Sequence, residues 1–145
     1  MKKLILIAFV LVGFVFNTQA QTKYKIGDKA FQGIVFYVSA DSLHGLVAQS
    51  EDYKVIGQKS HIMSCTIVLQ DKKLSGYRMP NKEELQKLYM QRVIVGGFSK
   101  SRIQWYWYMQ GQEMGTRKAI NFSDGNDVSN ISPTNEGNVR LVKSF

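Results

Sequence analysis

The sequence predicts an α+β fold, and three observations predict it. Short runs rich in β-branched and aromatic residues, bounded by turn signals, read as strands over residues 33–38, 46–49, 103–109, 117–122 and 138–143. Two other stretches carry helical spacing, residues 56–69 and the segment that follows Pro80. The last strand run ends near the chain terminus, so it is expected to pair with the first strands.

The first 20 residues stand apart. Lys2 and Lys3 precede an uncharged apolar run over residues 4–16, and Thr18-Gln19-Ala20 puts small residues at the −3 and −1 positions. This is the pattern of a secretory signal peptide cut before Gln21. The run is shorter than the ~20 residues of a membrane span, and no cysteine follows it to carry a lipid. Taking 20 residues from 145 leaves 125, enough for one domain with a real core. Losing Lys2 and Lys3, with no acid among the first 20 residues, takes the net charge from +8 to +6. Basic exported domains meet anionic polysaccharide, lipid headgroups or nucleic acid, and ordinary solubility charge explains the same balance at least as well. The cations are scattered rather than in a run, and no nucleic-acid partner is expected.

In chain order, Gly27-Asp28 signals a turn ahead of the strand at 33–38. Residues 41–45 form a hairpin loop in which His44, just before Gly45, is a turn residue rather than a metal ligand. The strand at 46–49 returns. Over 56–69 the residues Ile62, Cys65, Thr66 and Leu69 share one helical face. Cys65 is the sole cysteine, so no intrachain disulfide forms and the core alone must hold the domain. It reads as a buried, inert thiol, and no spacing ties it to His44 or His61.

The central motif runs from Gly76 to Tyr89. Pro80 pushes Met79 out of helical geometry and Asn81 is a good N-cap. Glu84, three residues on, closes a capping box, and Glu83 adds charge at the positive end of the helix dipole. Leu85, Leu88 and Tyr89 form the apolar stripe of a helix ending near Arg92, before Gly96-Gly97. Arg78 is read as a structural staple whose fork meets a carboxylate or backbone carbonyls.

Residues 103–109 hold the densest aromatic cluster, with Trp105 and Trp107 on one face and Tyr106 and Tyr108 on the other. One pair is expected in the core and the other partly exposed. Asp124-Gly125 is a strong turn, preferred over a metal site because the spacing is not that of a calcium loop. Residues 127–138 read as a polar loop.

These residues together resemble the Lcl C-terminal-type domain family. Lys25-Ile26-Gly27-Asp28, Gly33-Ile34-Val35-Phe36-Tyr37 and His44-Gly45-Leu46-Val47 are similar to that family's opening. Gly76-Tyr77-Arg78-Met79-Pro80 with Glu83-Glu84-Leu85 resembles its Gly-Trp-Arg-Leu-Pro-Thr…Glu-Leu signature. Tyr106-Trp107, Phe122-Ser123-Asp124-Gly125 and Val139-Arg140-Leu141-Val142 match later segments in the right order.

The resemblance implies a single C-type-lectin-like domain over residues 21–145, with two helices, small antiparallel sheets, long loops and paired N- and C-terminal strands. It also implies, for some members, binding of sulfated glycosaminoglycans and trimerisation on a collagen-like stalk. This chain has no Gly-X-Y stalk, and Tyr108-Met109 replaces two serines. It lacks the Glu-Pro-Asn and Trp-Asn-Asp triplets of calcium-dependent sugar sites. Formylglycine-generating enzymes carry a similar signature but use a cysteine pair, against the single cysteine here.

The functional expectation is therefore a non-enzymatic, exported binding module for an anionic polysaccharide or cell-surface glycan. It needs no cofactor and no metal. The ligand-binding candidates are Trp105 or Trp107 as a stacking platform, flanked by Lys100, Arg102, Arg117 and Lys118. Trp107, within the family signature, fits a core position better than a platform. An enzyme finds no support in a His-Glu-x-x-His, Gly-x-Ser-x-Gly or phosphate-loop pattern. The remaining alternative is a structural or envelope-assembly domain with a protein partner, which an exposed Tyr106/Tyr108 face would favour.

Overall fold

The computed structural model describes residues 21–56, 74–102, 104–109, 118–132 and 135–145. Within them the chain is mixed α+β, with two helices and two small sheets. No helix among the described residues is long and apolar enough to cross a membrane.

The first sheet has the order β1-β2-β3-β9, from Lys29–Ala30, Gly33–Val38, Gly45–Ala48 and Val142–Ser144, all antiparallel. β2 and β3 are the anticipated hairpin. Its loop is closed by Ser39 N–H donating to the His44 carbonyl at 2.8 Å and by the Asp41 carboxylate accepting from Leu43 N–H at 2.9 Å, which makes His44 a turn residue. β9 pairs with β3, so the chain end does return to the early strands. On its other side Val142 exchanges two backbone bonds with Arg78, at 2.9 and 2.8 Å. The central motif thus continues this sheet.

The second sheet has the order β4-β8-β5-β6-β7, from Tyr53–Ile56, Glu136–Val139, Trp105–Trp107, Ala119–Asn121 and Asp127–Val128. All its pairs are antiparallel except β5 with β8, which is parallel through Tyr106 opposite Asn138. Three expectations are corrected here. Residues 138–143 are not one strand, because β8 and β9 belong to different sheets and the chain crosses between them at Arg140 and Leu141, both fully buried. Residues 127–138 are not all loop, since they hold β7 and most of β8. Gly137 masks β8 in the sequence, and packing explains it: a Cβ there would lie 2.0 Å from Trp107 Nε1. Ile56 ends a strand rather than starting a helix, and the rest of the helical expectation over 57–69, with His61 and Cys65, lies outside the described residues.

Helix α1 spans Lys82–Met90. Its Leu85 and Leu88 are fully buried, and Tyr89 meets Phe122 edge-on at 5.3 Å. A break at Gln91 separates α1 from the short α2, Arg92–Val95. Gly96 and Gly97 then end it with φ of 66° and 69°, a region open to glycine at no steric cost.

The core has two clusters. One joins Phe36, Leu46, Leu85, Leu88, Tyr106, Tyr108, Ile120 and Phe122; the other joins Tyr77, Met79, Trp107, Val139 and Leu141, with Trp105 packed against it. β5 therefore alternates as anticipated, but both of its faces are covered. Tyr106 and Tyr108 are the buried pair; in the other pair Trp107 is buried as well and Trp105 is half-exposed.

Candidate functional site

The central motif is an interlocked cap and clamp. The Asn81 side chain accepts from Glu84 N–H at 2.8 Å, and the Glu84 carboxylate accepts from Asn81 N–H at 2.9 Å. The same carboxylate receives the Arg78 fork at 2.7 and 2.6 Å, while Arg78 Nη1 also donates to the Met79 carbonyl. Burial pushes the Glu84 carboxyl up, but the Arg78 fork, the Asn81 N–H and the positive charges of Arg78 and Lys87 outweigh it and hold it below the ordinary carboxylate range. Arg78 is a staple here, with both ends of its fork on Glu84. Pro80 is buried, and its carbonyl accepts from Met109 N–H at 2.9 Å.

A second clamp went unrecognised in the sequence. The wholly buried Arg140 donates through Nε to Asp52 at 2.7 Å and through Nη1 to the Gln49 and Gly96 carbonyls at 2.8 and 3.2 Å. Its Nη2 donates to the Gly97 carbonyl at 2.6 Å, and its guanidinium lies 4.1 Å over the Phe98 ring. Asp52 also receives Ser99 N–H at 2.8 Å and the Tyr106 hydroxyl. Burial first, then the Asp52 carboxylate, raises the Tyr106 phenol well above its usual range. This network ties both sheets to the loop after α2. A buried arginine is rare in composition-based expectation, and a lone Asp 88 positions earlier carries no local signal of the pairing.

The candidate ligand residues do not form one site. Arg102 lines an open groove of about 420 Å³ with Lys54, Ser101, Asn135, Glu136 and Asn138, at the β4/β8 edge of the second sheet. Lys100 lines a different groove, of about 320 Å³, beside α2. Lys118 lies next to β6, toward the opposite edge, where its charge helps hold the Asp127 carboxyl down against burial. Asp127 there pairs with Lys82 at 2.5 Å and accepts from the Tyr108 hydroxyl at 2.9 Å. Arg117 lies outside the described residues.

Trp107 is 2% exposed and cannot serve as a stacking platform. It has a different position: its indole lies directly under Gly137, a wall residue of the β4/β8 groove. Trp105, half-exposed, neighbours the same groove through its carbonyl, which accepts from Asn138 Nδ2 at 3.4 Å. The groove therefore joins two cations, one carboxylate, two amides and a hydroxyl. That donor set suits a hydroxylated or anionic ligand held by several polar contacts.

Burial of Tyr106 and Tyr108 removes the aromatic surface that would have favoured a protein partner there. Among the described residues no three His, Cys, Asp or Glu side chains converge on a metal position. Asp124 instead accepts from Asn126 N–H at 2.9 Å, and Gly125 has φ of 81°, so the segment is built as a turn. Near His44, the Ser39 hydroxyl is bonded to Asp41 and to backbone, not to the imidazole. Compared with known proteins, the chain matches no family model and no curated protein.

Proposed function

We propose that this protein is an exported, non-enzymatic binding module of C-type-lectin-like architecture, taking an anionic or carbohydrate ligand at the cell surface. The observation that carries the proposal is the β4/β8 groove, where Lys54 and Arg102 stand beside Asn135, Asn138 and Ser101. Cations with amides and a hydroxyl offer what a polyhydroxylated, negatively charged chain requires, and the open shape admits an extended polymer. The ordered resemblance along the chain and the charge of +6 without the leader support the same reading.

The test is retention on a heparin column of protein expressed with its own leader, intact mass first establishing an N-terminus at Gln21. A retained leader would refute the export reading. Binding to a polyanion releases counterions, so elution should advance steeply with salt. Lys54→Gln with Arg102→Gln should elute earlier while melting unchanged. Passage of the folded protein through the column at low salt would sink the polyanion reading.

A further inference from the structure

We propose that the corner between α1 and α2 is a docking surface for an anionic lipid bilayer. Soluble domains rarely leave neighbouring large apolar side chains bare. Here Met90, the last residue of α1, and Val93 and Ile94, in α2, are 71%, 86% and 54% exposed on the two sides of the corner at Gln91. The opening turn of α2 is closed by Ile94 and Val95 N–H, which both donate to the Gln91 carbonyl at 3.0 Å. Ile26, 41% exposed, extends the patch, since the adjacent Gly27 would meet Ile94 Cγ2 at 3.2 Å through a Cβ.

Charge selects the occupant. Lys87 lies one turn before Met90, with its ammonium 4.2 Å from the Tyr37 ring centre. Arg92 is held by the Tyr89 carbonyl at 3.0 Å and lies over the Tyr89 ring. Beyond Val93 the groove of about 320 Å³ carries Phe98 and Phe122 between Arg92 and Lys100. Asp28, the acid nearest Ile26 in the chain, already accepts from Lys25 N–H at 2.8 Å. Apolar side chains rimmed by cations insert at the boundary of headgroup and acyl chain, where anionic lipid meets the rim. A second copy fits less well: a two-fold contact turns the patch on itself and sets Lys87 and Arg92 against their own kind.

The surface is separate from the β4/β8 groove, so its test stands apart from the heparin experiment. Protein with a verified N-terminus is sedimented with phosphatidylcholine vesicles, with and without phosphatidylglycerol. Binding is expected only with phosphatidylglycerol, weakened by salt. Val93→Ser with Ile94→Ser should lower it by about tenfold or more, given the apolar area removed, with heparin retention unchanged. Should that pair unfold the protein, Met90→Gln alone gives the same reading at smaller amplitude. Equal vesicle binding by variant and parent, or none by the parent, overturns the proposal. A dimer in sedimentation that the same substitutions abolish overturns it in favour of a second copy.

Discussion

Replacing Arg140 by Met removes the guanidinium and keeps an unbranched stem. The side chain is 0% exposed and its Asp52 partner only 12% exposed, so the pair lies in the regime where losing one partner costs about 3–5 kcal/mol. Three features set the value within that range. Asp52 keeps two donors, Ser99 N–H and the Tyr106 hydroxyl, which moderates its loss. The Gly96 and Gly97 carbonyls lie at half-exposed and exposed residues and can turn to water. The Gln49 carbonyl is buried at a residue 7% exposed and has no such recourse. The lower end, about 3 kcal/mol, follows. Against a typical total of about 5–15 kcal/mol, that is a large share of the fold.

Urea denaturation of the parent, Arg140→Met and Arg140→Lys measures it. Lysine keeps the charge but not the fork, so it should restore only part of the loss. In a double-mutant cycle with Asp52→Asn, the two effects should be strongly non-additive. A loss below about 1 kcal/mol for Arg140→Met, in the range of exposed pairs, would refute the assignment of this network as the clamp between the sheets.

Asn81→Ala should cost about 1 kcal/mol through the lost cap, and Pro80→Ala less, because the Pro80 carbonyl that meets Met109 N–H survives. The opposite ranking in urea curves would discard the capping account. Glu84 is depressed in the folded state, so the stability it contributes is complete above its unfolded value and is lost as pH falls through the lower folded value. Glu84→Gln should flatten that acid limb in a pH series of melting temperatures, and an unchanged limb would exclude Glu84 as its source. At the alkaline end, burial pushes the Tyr77 phenol up to about 12 from 10.0, although the nearby Gln49 amide opposes this. A raised phenol stabilises below the unfolded value and loses that contribution as pH climbs to the folded one. Stability should therefore fall between pH 10 and about 12, less so in Tyr77→Phe, and equal slopes would remove Tyr77 from the cause.

The sequence by itself determined those parts of the protein whose causes are local. The capping box needs only Asn81 and Glu84 three residues apart, the β2–β3 hairpin needs a turn between two β-forming runs, and the Asp124-Gly125 turn needs side chains that bond their own backbone. In each, the partners are near neighbours in the chain, so pattern and propensity report them. Arg78 belongs here too: its partner Glu84 lies six residues on, within the reach of one motif.

The tertiary structure decided the rest, because the causes there are contacts between distant segments. β8 was hidden by Gly137, a poor strand former retained because the Trp107 indole leaves no room for a Cβ. The 138–143 run looked like one strand, yet Arg140 is drawn inward to Asp52, 88 positions away, and the chain changes sheets at that point. Alternation along β5 correctly separated tryptophans from tyrosines, but only packing on both sides of the sheet shows that neither tyrosine reaches solvent. Lys100 and Arg102, near neighbours in sequence, line separate grooves, and Arg102, just before β5, joins Lys54 of β4 because both strands pair with β8. Side-chain spacing along one strand or helix is set by backbone geometry. Which segments meet is set by burial of their faces together, and no local window of sequence contains that information.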